Sequence, residues 1–202
     1  MLACFLRMEH GGEIRMKPGL KKYACDLTLD PNTVHTRLHL SEGNRKVQCL
    51  KQDQHYADHP DRFEYWPQVL SVQSLTGRCY WEAKWSGEKD AEISVSYRGI
   101  KRKGKSDDCV FGRNNQSWRL NCSKNSYFVW HNNRTTEIRL PTSCSHRIGV
   151  YLDWESGTLS FYRVSPGTHT LTHLHTLATT FSEPLYAGFR VLDNQSSVSV
   201  CV

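Results

Sequence analysis

From Tyr23 onward the chain alternates apolar and polar residues with a period of two, and no segment of length shows the spacing of an amphipathic helix. The clearest run is Arg78–Trp85, R-C-Y-W-E-A-K-W. Cys79, Trp81, Ala83 and Trp85 share one face, and Arg78, Tyr80, Glu82 and Lys84 share the other. Ala91, Ile93, Val95 and Tyr97 repeat the pattern as the inward positions of 91–97. Further strands are predicted at 69–75, 117–122, 127–131, 136–140, 147–153, 158–164, 171–177 and 184–191. Cys25, Leu27 and Leu29 form a shorter alternating stretch, stopped by Asp30-Pro31-Asn32-Thr33. Residues 1–22 read as irregular, and 41–64 as a long polar loop with one or two short strands. Gly87–Asp90 and Ser156-Gly157 are turn signals, and Asn132-Asn133 suits a tight hairpin because Asn tolerates positive φ. Such spacing predicts an all-β fold of two antiparallel sheets packed face to face.

The bulk numbers narrow this reading only a little. A chain of 202 residues fits one domain, and a net charge of +6 is mildly basic. No apolar run approaches the roughly 18 residues a membrane helix needs, so no membrane partner is expected. The apolar start M-L-A-C-F-L-R is too short for a signal peptide, which points to a cytoplasmic chain. Cys4, Cys25, Cys49, Cys79, Cys109, Cys122, Cys144 and Cys201 are scattered without a C-x-x-C pair, so buried free thiols are the expectation. Four N-x-S/T sequons, at Asn115, Asn121, Asn133 and Asn194, read as chance in an Asn- and Ser-rich chain.

Candidate chemistry is sparse. Asp153 and Glu155 could form a glycosidase pair, but the strand–turn–strand pattern of 147–164 puts both at a solvated hairpin tip, with Trp154 pointing away. His173 and His175 share a strand face, yet zinc needs a third or fourth ligand, so no metal or cofactor is expected. Cys144 and His146 have same-face spacing but no orienting group. An enzyme is therefore not expected. The run R-G-I-K-R-K-G-K (98–105) carries five cations, but it lacks the interleaved aromatics of a nucleic-acid surface, which disfavours a nucleic-acid partner.

Three ordered motifs carry a family resemblance. L-D-W-E-S-G-T-L-S-F-Y (152–162) resembles the L-D-Y-E-x-G-x-x-S-F-Y signature of PRY-SPRY domains. L-T-L-D-P-N-T (27–33) is similar to the PRY opening motif, and Y-W-E-A-K-W (80–85) to the W-E-V-E motif of SPRY. Trp154 stands for the usual Tyr, and Lys84 for a common acidic residue. The resemblance implies a bent β-sandwich of the concanavalin-like jelly-roll type without a catalytic centre. It divides the chain into an irregular 1–19, a PRY part at 20–75 and a SPRY part at 76–202, continuous with it. It implies a protein ligand bound by variable loops at one end, here 50–64, 98–116, 123–135 and 164–170. Within them Arg98, Lys101, Arg102, Lys103, Asn114, Asn115, Tyr127, Trp130 and His131 are the candidate contacts, with Tyr127 and Trp130 as aromatic anchors. Residues 6–33 resemble the junction between leucine-rich repeats and PRY-SPRY in fish NOD-like receptors, which suggests innate immune sensing or signalling; the module also closes tripartite-motif proteins. The alternatives are a lectin-like or carbohydrate-active sandwich around Asp153 and Glu155, and an RNA-binding surface on 98–105.

Overall fold

The computed structural model describes residues 15–16, 18–87, 91–123, 126–139 and 145–201. Residues 6–14 and Lys17 of the proposed repeat junction, Glu88–Asp90 of the turn, Lys124 and Asn125 of the 123–135 loop, Leu140 of the 136–140 strand, Cys4 and Cys144 lie outside the described residues. Among those described, the chain forms fourteen strands and no α-helix: β1 (Arg15–Met16), β2 (Leu38–Ser41), β3 (Lys46–Cys49), β4 (Gln68–Leu75), β5 (Arg78–Ser86), β6 (Ala91–Tyr97), β7 (Ser117–Cys122), β8 (Tyr127–His131), β9 (Arg134–Ile138), β10 (Arg147–Asp153), β11 (Thr158–Val164), β12 (Leu171–Ala178), β13 (Leu185–Val191) and β14 (Ser197–Cys201). One sheet has the order β1-β12-β11-β10-β5-β14-β3-β2, the other β4-β13-β6-β7-β8-β9, and the strand pairs are antiparallel. The apolar phase of each strand meets between the sheets, where Trp81, Ile93, Val95, Leu120, Val150, Phe161 and Phe189 are fully buried. Each such side chain contributes roughly 1.5–3 kcal/mol over its exposed state.

The ten strands expected from alternation all form. Nine match within a residue at either end, while β9 starts two residues early, at Arg134. The Asn132-Asn133 turn takes φ values of 49° and 59°, as a tight antiparallel hairpin requires.

The structure refines two readings of the sequence and corrects two. Residues 25–29 form no strand: Leu27 and Leu29 are buried, but the segment crosses the sandwich on isolated bridges from Ala24 to Tyr80 and from Leu29 to Ser71. The outer face of β5 is not uniformly solvated. Tyr80 is sealed by Leu20 and Tyr23 of a 3-10 turn over Pro18–Tyr23, packed with Tyr162, Val164 and Leu171, and the neighbouring Glu82 is fully buried. Lys84, beyond this strap, is exposed as its alternation predicts. Asp153 is not a solvated tip residue either. It is 9% exposed and accepts hydrogen bonds from Arg78 Nε (2.9 Å) and from the Ser156 amide (3.2 Å), while Glu155 sits exposed in the turn. The two acids thus occupy different environments and do not form a pair. Finally, Cys25 and Cys79 are joined in a disulfide that ties the 18–29 segment to β5, whereas Cys49 and Cys109 are buried thiols.

Candidate partner-binding surface

Antiparallel register fixes where the loops emerge. Segment 50–67 enters β4 at the end where β5 stops and β6 starts, and the β11–β12 turn leaves from that same end. Loop 98–116 and the Asn132-Asn133 turn emerge at the opposite end. The candidate loops therefore do not cluster at one tip. Instead 98–116 folds back over the outer face of the six-stranded sheet and meets 58–66 there. The Glu64 amide donates to Arg102 O (3.0 Å), the Gly104 amide donates to Glu64 Oε2 (3.0 Å), and Arg98 bridges Asp30 (3.2 Å) and Asp61 (2.5 Å). Two glycines allow the close approach. A Cβ on Gly188 would lie 2.8 Å from the Phe111 ring, and one on Gly112, where φ is +77°, 2.8 Å from Trp130 Cβ.

Beside this folded-back loop runs a row of charges and rings across four strands and the segment before β4. Arg190 on β13 lies 4.8 Å over Trp66 and donates to both Glu92 carboxylate oxygens on β6, at 3.1 and 3.2 Å. Arg119 on β7 donates to Glu92 Oε1 from the other side (3.0 Å) and lies 4.9 Å from the centre of the Trp130 ring on β8. Arg113 lies 6.0 Å from the same ring and is paired to Asp107. Glu92 and Arg119 are each 4% exposed, while Trp66, Trp130 and Arg190 are half-buried. Burial pulls the Arg119 guanidinium below its ordinary pKa, and the Glu92 carboxylate works against that shift. Two guanidiniums share one carboxylate, which leaves one positive charge in excess beneath two indole rings. Arginine and tryptophan half-buried on one sheet face are the composition of interface anchors.

The candidate contacts divide sharply by this geometry. Trp130 belongs to the row. Lys101, Lys103 and Asn115 are exposed on the loop, with Lys101 paired to Asp108 at 2.6 Å. Arg98 is held between Asp30 and Asp61. Arg102 is buried over Phe63 and donates to Arg98 O; burial first, then the neighbouring Arg98 charge, lower its pKa to about 10. Asn114 is a loop staple: its amide donates to three carbonyls, Asp107, Asp108 and Val110, and its oxygen accepts from Gln116 N and Ser117 Oγ. Tyr127 is wholly buried in the core, so it is no surface anchor. His131 faces inward, stacked on Trp118 at 4.6 Å. The basic run is thus mostly spent on internal pairing. The alternation did not single out Glu92, Arg119, Arg190 or Trp66, although three of them are charges at polar positions of otherwise apolar strands.

A rigid two-sheet sandwich presenting folded-back loops and a half-open charged and aromatic face has the build of a binding domain. The SPRY-associated domain model, PRY, matches residues 27–75 and the SPRY domain model matches 78–201, so the chain belongs to the PRY-SPRY family. It is similar to stonustoxin subunit beta of Synanceia horrida, 41% identical over 92% of this chain and 26% of that protein. It is also similar to tripartite motif-containing protein 16 of Mus musculus, 37% identical over 93% of this chain and 33% of that protein. Among solved structures, stonustoxin superposes with a TM-score of 0.82 at 38% identity, covering 93% of this chain and 29% of that one. The TRIM65 PSpry domain superposes with a TM-score of 0.79 at 28% identity, covering 91% of this chain and 93% of that one. The chain spans about a quarter of the length of the stonustoxin subunit it matches. In tripartite-motif proteins the SPRY domain is a protein-interaction module.

Proposed function

We propose that this chain is a non-enzymatic recognition module that binds a protein partner across the outer face of the six-stranded sheet. Trp130 and Trp66 serve as anchors, and the Arg119–Glu92–Arg190 cluster receives an acidic group of the partner. The observation that carries this reading is the row itself: two buried or half-buried guanidiniums on one carboxylate, roofed by two half-buried indoles. The excess cation favours a partner carboxylate, and the indoles supply area that is already ordered before binding. A role in cytoplasmic innate immune sensing or signalling is the finer part of the proposal, supported by the resemblance of 6–33 to the receptor junction.

The test is capture from lysate with three baits: the native chain, a Trp130→Ala/Arg113→Glu variant, and His39→Ala, exposed on β2 of the opposite sheet, as a control. A protein retained by the native chain and the control but lost with the double variant supports the reading. Equal retention by all three baits overturns it.

A further inference from the structure

The outer face of the larger sheet breaks a local rule of sheet pairing. Register sets Lys46 on β3 opposite Ser199 on β14, Ser199 opposite Lys84 on β5, and Lys84 opposite Arg147 on β10. Lys84 and Arg147 are thus like charges directly across an antiparallel pair, an arrangement that costs stability. Lys46 has Glu42 at 3.1 Å, and Arg147 has its Nε on Glu82. Lys84 is exposed and has no ion pair among the described residues. Glu82 cannot serve it as well, because its second oxygen accepts from the Tyr80 hydroxyl at 2.7 Å and the side chain is fully buried.

This pair, two cations with Glu82 serving Arg147 alone, opens into a cleft of about 310 Å³ between the ends of β5 and β10 and the β11–β12 turn. Lys84, Arg147, His146, His169 and Ser165 line it beside the apolar wall of Val164, and no carboxylate lines it among the described residues. The parts are held in place. His146 stacks on Trp85 at 4.3 Å with its Nδ1 3.3 Å from Trp85 O. The turn is closed by Ser165 N to Thr170 O (2.9 Å) and His169 N to Ser165 O (3.2 Å). A wall of two cations, two imidazoles and a serine hydroxyl, with no carboxylate among the described residues, favours an anionic ligand.

We propose that this cleft binds a doubly charged oxyanion of the phosphate-monoester class, with Lys84 and Arg147 as its cations and Ser165 and His169 as neutral donors. A phosphate offers three acceptor oxygens and nearly two charges, which matches converging donors from two strands and one turn; a carboxylate offers half that charge. The site lies on the opposite sheet from the Trp130 row and is independent of it.

The test is a titration of the full-length ¹⁵N-labelled chain, followed by amide shifts, with inorganic phosphate, a phosphoserine peptide and acetate at matched ionic strength. Saturable shifts at Lys84, Arg147, Ser165 and His169 are expected with both phosphates, with acetate weaker by about fivefold or more, as one lost charge contact of about 1 kcal/mol implies. Lys84→Ala, at an exposed position that leaves the fold intact, weakens phosphate by a similar factor, and the unperturbed remainder of its spectrum reports the fold. A tighter phosphoserine peptide assigns the site to a phosphorylated protein segment, and a tighter inorganic phosphate to a free phosphate compound. Linear shifts without saturation, shifts centred on Arg119 and Arg190, or unchanged affinity in Lys84→Ala overturn the proposal.

Discussion

Glu82 and Glu92 sit on consecutive strands, β5 and β6, one in each sheet, and both are buried carboxylates facing away from the central core. Their surroundings differ. Glu82 is fully buried and accepts from Arg147 and from the hydroxyl of Tyr80, itself under an apolar lid of Leu20 and Tyr23. Burial, and then the adjacent Glu82 charge, push the Tyr80 hydroxyl far above its ordinary pKa, so it stays a proton donor to that carboxylate. Glu92 instead serves two arginines at once, beneath rings that water still reaches. The first carboxylate is neutralised and closed off, which suits a joint in the fold. The second is outnumbered and left half open, which suits a surface awaiting a further anion. A buried charge is therefore no sign of function by itself; what matters is whether the local charges balance and what covers them.

The strongest way to break this contrast is Glu92→Gln. It strands two guanidiniums, one of them 4% exposed, and is expected to cost about 3–5 kcal/mol of unfolding free energy in urea. A loss under about 1 kcal/mol would mean the arginines rehydrate and the row is not a unit. Trp130→Ala should weaken partner binding by about 2 kcal/mol, roughly thirtyfold, while changing stability by no more than about 1 kcal/mol. Comparable losses in both measurements would move Trp130 from the binding face into the fold. Glu82→Gln should cost about 1–2 kcal/mol, because the Arg147 side chain is 29% exposed and can turn to water. If thermal melting puts it level with Glu92→Gln, the two sites do not differ as described.

The smallest effect is acid sensitivity. His35 is 6% exposed, its Nδ1 accepts the Arg37 amide at 3.0 Å, and burial holds its pKa below the ordinary histidine value. The unfolded chain then binds the extra proton more readily than the folded one. Stability is full above the ordinary value of about 6.5 and declines as pH falls through it. Burial shifts His173 and His175 on β12 in the same direction. Melting at about pH 5.5 should therefore fall below melting at neutral pH, and His35→Gln should narrow the gap; an unchanged gap would assign the effect to β12.

The alternation in R-C-Y-W-E-A-K-W made β5 legible, and period two recovered β6 to β13 in the same way, because half-buried strands write their burial into sequence. β14 escaped notice although it lies between β5 and β3. Its S-V-S-V-C run alternates, but Ser and Val carry little bulk to mark a central strand. The strap over Tyr80 was invisible for another reason. Leu20 and Tyr23 carry no periodic signal, and their target lies some sixty residues away in sequence. The charged row was hidden likewise: Glu92, Arg119 and Arg190 each read as an outward polar residue, and only the pairing of β13, β6 and β7 makes them neighbours. The pairing within the basic run was not legible either, because its charges are conspicuous in one dimension while Asp30, Asp61 and Asp108, which pair with Arg98 and Lys101, are dispersed.

The 18–23 strap also bears on how such a module can be cut and carried. The family match begins at residue 27, yet Leu20 and Tyr23 cover Tyr80, and Cys25 is bonded to Cys79. A segment excised at 27 would lose its lid and one half of its cross-link, leaving an oily seam along β5, β11 and β12 that invites association. The piece that carries its own lid and both ends of its cross-link starts before the PRY match does, at the short turn over Pro18–Tyr23.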